Sequence, residues 1–401
     1  MSRFRHDLLK DVRILDASRV LAGPFCGQLL GDLGADVIKI ERPGKGDETR
    51  GWGPPYSGPL SAYYLSCNRN KRAVALDLAT GEGQAVFQDL VKRSDIVLEN
   101  FRPDSAEKLG LSPETLFQSN SRLIVCSISG FGRNGPMKDV PGYDFAIQGL
   151  SGLMSITGPA AGPPSKVGVA VSDVLTGLYA TSTVLACLHA REKSGHGYAI
   201  DLALLDCALA AQVNVVQAFL TTGKVPPRLG NAHLQIVPYQ LFQTADDWLV
   251  LAIGNDEQWM RFCHAANRPD LASDERFVTN RLRVQHRDEL ISDLEELFRT
   301  KTSTDWEALL RTQTIPHARV WDYADLFQQE QLEARGMRIK VTGPDGTPID
   351  LLGAPFQVAG AEQREPLCPP SMGEHTDAVL GEVLGMSQDR LAELRSQGVI
   401  A

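Results

Sequence analysis

The sequence predicts an α/β fold: a large domain built on a Rossmann-like parallel sheet, joined to a smaller α+β domain. Three observations carry this. Strand and helix signals alternate over the first 130 residues, which is the spacing of βαβ units. Between residues 170 and 223 the chain turns strongly apolar and helical. From about residue 225 the texture changes again, to a hairpin followed by charged helices, and a second domain is placed at 225–325.

Taken in order, "VRILDAS" (12–18) is an apolar run of strand length, and "GPFCGQLLGDLGA" after it has helical spacing, with Pro24 suited to the first helical position. "DVIKIE" (36–41) is the next strand. "AVALDL" (73–78) leads through Thr80 into the helix "GEGQAVFQDLVKRS", and "DIVLEN" (95–100) follows. "SPETLFQSN" carries a near-miss capping box on Ser112, and "RLIVCSISG" (122–130) closes the run. The helical stretch beyond residue 170 is broken by "REKSGHGYAIDL". "YQLFQTADDWLVLAIG" reads as a hairpin, charged helices run from about 255 to 312, and "MRIKVTGPDGTPIDLLGAPF" reads as a second hairpin before a tail to residue 401. No internal repeat or low-complexity tract is present.

Composition narrows the function. With 43% hydrophobic and 22% charged residues, the chain is of ordinary globular type. The opening "MSRFRHDLLKDVRIL" has no apolar core of a secretory signal, and the charge-free stretches 174–190 and 207–223 are short and diluted with polar residues for a membrane span. Seven dispersed cysteines without a C-x-x-C pair, and eight histidines without H-x-x-x-H spacing, point to a reduced cytoplasmic protein without a metal site. The formal net charge of −9 argues against a nucleic-acid partner. It is unevenly placed, however: residues 1–110 hold sixteen Lys/Arg against fifteen Asp/Glu, so a small polyanion could be held there. The loop after the first strand lacks G-x-G-x-x-G, and "GEGQAV" offers only two glycines with Glu82 between them, which argues against NAD or FAD.

Two features carry candidate chemistry. Arg42, Lys45, Arg50, Arg69, Lys71, Arg72, Arg102 and Lys108 cluster in the basic part, with Arg42 and Arg102 directly past strand ends, where open α/β sheets bind ligands. Such cations, with backbone N–H groups, suit a small polyanion. The second feature is Asp173, the one formal charge in "GVAVSDVLTGLYATSTVLACLHA" (168–190). It falls where an apolar run gives way to a long helix, so an N-cap is expected. A carboxylate held ionised at a helix start and stripped of water would also suit a nucleophile.

"DASRVLAGPFCGQLLGDLGADVIKIERPGKGDETRGWGPP" resembles the start of the family III CoA-transferases, the group of formyl-CoA transferase and the carnitine CoA-transferases. The likeness continues through "NRNKRAVALDL", "DIVLENFRP", "GYDFAIQGLSGLMSITG", "VAVSDVLTGLYA" and "GHGYAIDLALLDCAL" to "GEHTDAVL". The resemblance implies CoA contacts from Leu21, Ala22, Arg42, Leu76, Asp77, Leu78, Asn100, Phe101 and Lys108, to which Arg102 is added for its place past a strand end, and it puts the family's catalytic Asp on Asp173, supported by Tyr143 and Asp144. It implies acyl-CoA and a small carboxylic acid as substrates, with no tightly bound cofactor. The implied chemistry runs through an aspartyl acyl anhydride and an aspartyl-CoA thioester. It also implies a homodimer of interlocked rings, and a discontinuous large domain of 1–215 and 330–401 with linkers at 216–224 and 326–329.

Within this fold, racemases use a His where "PGYDFAIQG" has Tyr143, and a phenol is a poor acid/base partner at neutral pH. An acyl-CoA racemase or epimerase is therefore the alternative enzyme, and a CoA-binding protein without chemistry the alternative class. Residues 227–259 resemble the dicarboxylate (succinyl-CoA:glutarate-like) branch and lack the glycine-rich loop of formyl-CoA transferases. A dicarboxylate's free end needs a cation or N–H donors, for which Arg228, Asn231 and His233 are the candidates.

Overall fold

A computed structural model describes residues 5–401. The chain divides into two compact units. One runs to Gly152 and adds Val167–Gln212 and Glu330–Ala401; the other comprises Leu153–Lys166 and Val213–Gln329.

The first unit is built on six strands: β1 (Arg13–Asp16), β2 (Asp36–Glu41), β3 (Lys71–Ala75), β4 (Ile96–Glu99), β5 (Ile124–Ser129) and β6 (Tyr198–Ala203). All neighbours are parallel, in the order β3-β2-β1-β4-β5-β6, the doubly wound order whose direction reverses between β1 and β4. Alternation along the strands feeds two cores. Leu15, Ile38, Val97 and Val125 face α2 (Gly81–Val91) and the C-terminal residues Val379, Leu391 and Leu394. Ile14, Val37, Leu98 and Cys126 face α1 (Ala22–Asp32) and α4 (Val171–Ser194). Apolar side chains on both faces are what a parallel sheet covered on both sides requires.

The differences from the sequence reading have local causes. Where the sequence shows only a break between helices, β6 forms; it is an edge strand whose burial alternates, so it lacks a continuous apolar run. The strand expected at 73–78 ends at Ala75, and Leu76 forms only an isolated bridge to Ile400. Pro24 is the third residue of α1 rather than the first, still within the turn whose N–H groups have no intrahelical acceptor. By length and composition α4 would pass for a membrane span; one face of it packs into the core, and its Arg191 pairs with Asp95 at 3.0 Å.

In the second unit Tyr239–Gln243 and Trp248–Ala252 form the expected hairpin, with His317–Arg319 added as a third antiparallel strand. Its core stacks Phe242, Phe262, Phe298 and Trp306. Residues 153–166, expected in the large domain, belong here. Arg228 Nη2 donates to Gly162 O at 2.7 Å, and Gly230 N–H donates to Gly158 O at 3.1 Å.

Beneath the turn after β1 lie four buried charges. Lys71 Nζ donates to Asp16 Oδ2 at 2.8 Å, Pro24 O at 2.8 Å and Asn68 Oδ1 at 2.9 Å. Lys39 Nζ donates to Asp47 Oδ2 at 2.9 Å and to Ser18 O at 3.1 Å. Burial opposes ionisation of Asp16, yet Lys71 and Lys39 hold its carboxyl below the usual value. Asp47, against the same penalty, is held down at about 2 by Lys39 and the Thr49 N–H. Breaking such a pair from one side strands a charge and costs about 3–5 kcal/mol. Lys71→Met is therefore expected to lower the unfolding free energy by about that much, read as a lower urea midpoint at unchanged m value. A loss under about 1 kcal/mol, the worth of an exposed pair, would contradict the role given to the network.

Candidate active site

The loops after β1 and β4 meet at the switch point. Asn100 bridges them with both ends of its amide: Oδ1 accepts the Arg19 N–H at 2.9 Å, and Nδ2 donates to Arg19 O at 2.7 Å. Val20 has φ +70°, a conformation a β-branched residue rarely adopts. Its N–H points to the Asp47 carboxylate at 3.3 Å, and its carbonyl accepts from Cys67 Sγ at 3.6 Å. Buried Glu99 caps the other loop, its Oε2 accepting the Phe101 N–H at 2.9 Å.

Two cavities open there. The larger, about 510 Å³, is lined by Arg42, Lys45, Leu76, Asp77, Leu78 and Leu109 among others. The smaller, about 260 Å³, is lined by Val20, Ala22, Asn100, Arg102, Lys138, Tyr143 and Asp173. Arg19, Glu48 and Phe101 line both.

Asp173 is the third residue of α4, not its cap; the cap position is Ala170, which has no side-chain acceptor. The missing acceptor comes from Asp144, the first residue of α3 (Asp144–Leu150), whose Oδ1 accepts the Ser172 N–H at 2.9 Å. Gly177, one turn beyond Asp173, lets α1 approach: a Cβ there would stand 2.9 Å from Ala22 O. This close approach places Ala22 and Asp173 on one cavity. Gly130 and Gly142 also cross backbone to backbone, a Cβ on Gly142 falling 2.6 Å from the Gly130 Cα, and so carry Tyr143 to the end of β5. No described residue donates a hydrogen bond to the Asp173 carboxylate. Burial first, and then the charge of Asp144, push its pKa up to about 7. Such a carboxylate can act as a nucleophile or as a base near neutral pH.

The other expected residues fall into three groups. Arg42, Leu76, Asp77 and Leu78 meet on the larger cavity, and Ala22, Asn100, Arg102 and Tyr143 on the smaller, with Phe101 on both. Arg42 stays exposed, its Nε 3.8 Å from Asp77 Oδ2, and Arg102 lies 3.6 Å from Asp104. Leu21 caps α1 without lining either cavity. Lys108, exposed at the end of its helix, lines neither; its neighbour Leu109 does. Four cations of the basic cluster are bound inside the fold: Arg50 to Glu41, Arg69 to Asp32, Lys71 to Asp16 and Arg72 to Asp36. In the second unit, Arg228 spends its guanidinium on the Gly162 and Pro159 carbonyls. His233 lines a separate cavity of about 210 Å³ and accepts the Gln235 N–H, while Asn231 is exposed.

Sequence reasoning missed Arg19, Lys138 and Tyr63. Arg19 pairs with Glu48 at 2.7 Å and lies 4.8 Å over the Phe101 ring. Its place directly after the first strand was the available signal. Lys138 sits in an exposed loop with no periodicity to mark it. Tyr63 reveals itself only electrostatically: burial, then the Asp173 charge, push its phenol up to about 12.

The chain is similar to known proteins over nearly its whole length. A family model described as CoA-transferase family III matches residues 9–376. The chain is 42% identical over 385 residues to succinate–glutarate CoA-transferase of Agrobacterium fabrum, covering 94% of this chain and 95% of that one. It is 38% identical over 392 residues to succinyl-CoA:glutarate CoA-transferase of Homo sapiens, covering 98% and 90%. A solved structure of a CAIB/BAIF family protein from Brucella suis superposes with a TM-score of 0.81 at 40% identity, covering 93% and 98%.

The raised Asp173 pKa has a thermodynamic signature. In the unfolded chain an Asp titrates at about 3.9; in the native state this one titrates at about 7. Between those values the native state holds a proton the unfolded state has lost, so stability falls as pH rises and the cost is complete above about 7. Asp173→Asn should therefore melt above wild type at pH 8, with the gap closing toward pH 4. A gap independent of pH would contradict the burial of this charge.

Proposed function

Since the chain belongs to CoA-transferase family III, we propose that it moves CoA from succinyl-CoA to a free dicarboxylate such as glutarate, with Asp173 as the covalent carrier. The observation that carries this reading is the placement of Asp173: an unpaired, half-buried carboxylate whose cavity shares its walls with a second one edged by Arg42 and Lys45. The relatives named above, which act on succinyl-CoA and glutarate by their names, support the substrate class.

In this reading the phosphates of CoA lie toward Arg42 and Lys45 and the thioester toward Asp173. The Asp173 carboxylate attacks the thioester carbonyl and expels CoA thiolate, leaving an aspartyl acyl anhydride. The thiolate attacks the aspartyl carbonyl, freeing the donor acid and forming an aspartyl-CoA thioester. The acceptor carboxylate attacks that thioester, the thiolate leaves again, and its attack on the new acyl group yields product and restores Asp173. Each nucleophile is an anion, so no proton needs to move. The tetrahedral oxyanions need donors; Ala22 lines the cavity at the first position of α1, where an N–H has no intrahelical acceptor. For the acceptor's free end, Asn231 and His233 stay as proposals, while Arg228 is already engaged by carbonyls. We also read the chain as half of an interlocked homodimer, which would cover the exposed Leu178, Tyr179, Leu209, Val213, Phe219 and Leu220. A reducing, cytoplasmic setting is proposed on the free state of all seven cysteines.

Incubation with succinyl-CoA and labelled glutarate tests the reaction. Label should enter the CoA ester, and Asp173→Ala should abolish transfer while CoA still binds. Near wild-type exchange by that variant would overturn the mechanism; scrambling of a chiral 2-methylacyl-CoA would favour a racemase instead. As Asp173 must be ionised, kcat/KM should rise with pH through about 7 and level off above. Asp144→Asn removes the like charge and should move that midpoint to lower pH; an unmoved midpoint counts against the coupling. Light scattering should give twice the chain mass, and a monomer would exclude the dimer.

A further inference from the structure

Gln148 is fully buried on α3, one turn after Asp144. Its Nε2 donates to Asp144 Oδ2 at 2.8 Å and to Val169 O at 3.3 Å, and its Oε1 accepts the Val167 N–H at 2.9 Å. These partners fix the orientation of the amide. Turned over, it would set its oxygen against a carboxylate and its NH2 against an N–H donor, losing all three bonds. Gln148 thus ties the segment entering α4 to the carboxylate that caps α4, and that carboxylate holds the Ser172 N–H next to Asp173. At the start of this helix Ala170 offers no cap, and the acceptor is brought from 28 residues away.

We propose that Gln148 is a positioning residue for the transfer reaction: through Asp144 and the 167–169 segment it fixes the first turn of α4, and with it the line along which the Asp173 carboxylate meets the thioester. The inference rests on Asp173 being the nucleophile. It adds that the aim of this nucleophile is set by a buried amide that touches neither substrate nor the reacting atoms. Misplacement of reacting atoms by a fraction of an ångström to an ångström is felt in kcat far more than in binding.

Gln148→Glu tests this with little change of volume. It keeps an oxygen for the Val167 N–H but replaces the donor facing Asp144 with a second carboxyl, and two carboxyls in contact resist joint ionisation. The ratio of variant to wild-type kcat is expected to fall about tenfold or more between pH 6 and pH 8 as that pair loses its shared proton, with KM for succinyl-CoA within about threefold. Gln148→Leu, which has no proton to lose, should lower kcat by a similar factor at every pH, again with KM nearly unchanged. A role confined to stability predicts instead a lower melting temperature with kcat and its pH profile intact in the folded enzyme. That result would overturn the proposal, and failure of both variants to fold would equally assign Gln148 to the fold rather than the site. Failure of the nucleophile reading shows separately, in Asp173→Ala, which leaves Gln148 untouched.

Discussion

The buried ion pairs Lys71–Asp16 and Lys39–Asp47 are the constraint on which the site rests. They join β1, β2 and β3 to the loop after β1 at the depth where that loop turns into α1. Charges withdrawn this far from water contribute little net stability, because desolvation consumes most of their attraction. What they supply is geometry. Lys39 holds the Ser18 carbonyl and Asp47, Asp47 faces the Val20 N–H, and Val20 is thereby kept in a conformation it would otherwise leave. A loop so determined presents Arg19 to Asn100 and the start of α1 to Asp173. The crevice between β1 and β4 is thus a consequence of strand order, and its detailed shape a consequence of four charges beneath it.

Against this fixed wall Asp173 stands under opposing influences. The first turn of a helix favours a negative charge, while burial and the neighbouring Asp144 disfavour it, and burial is the larger of the two. A carboxylate at about 7 is still substantially ionised at neutral pH and is more basic, hence more nucleophilic, than an ordinary one. Asp144 has two effects of different kind. As a cap it orients the helix that carries Asp173; as a charge it destabilises the ionised form of Asp173. Gln148 touches only the first of these, which is why an amide rather than a cation suits that position: a Lys or Arg there would orient Asp144 equally well and neutralise it.

Much of this could be read in the amino-acid sequence, and what could not has identifiable causes. Five of six sheet strands were legible because buried parallel strands are short apolar runs; β6, exposed along one edge, alternates and was lost between two helices. Asp173 was visible as a lone charge in an apolar stretch, but its place in the helix was not. Local sequence offers Asp173 as the cap, whereas the acceptor used is Asp144, from another helix. The raised pKa is hidden for the same reason: the helix end alone favours ionisation, while burial and Asp144, which oppose it, come from the fold. Arg19 obeys a rule that had been applied to Arg42 and Arg102 and could have been found. Tyr63 could not, because nothing in its neighbourhood in sequence refers to Asp173.

The basic cluster shows most directly what sequence proximity leaves undecided. Eight of the sixteen cations in the first 110 residues read as one cluster in the sequence, yet Arg50, Arg69, Lys71 and Arg72 each face an acid within the sheet unit. Burial separates the two populations: a cation taken from water must be paired, so those at strand starts and under loops acquired Asp or Glu partners, and those past strand ends stayed in solvent. Arg42 and Lys45 remain exposed on the larger cavity, and Arg102 on the smaller. In the proposed binding mode a polyanion would be met by a few exposed side chains at a rim, while the pairs beneath keep that rim in shape. In the proposed reaction substrate charge would be engaged where water can still screen it, and acyl transfer would take place on the smaller cavity, where Asp173 is partly withdrawn from water and each N–H donor does more for an oxyanion.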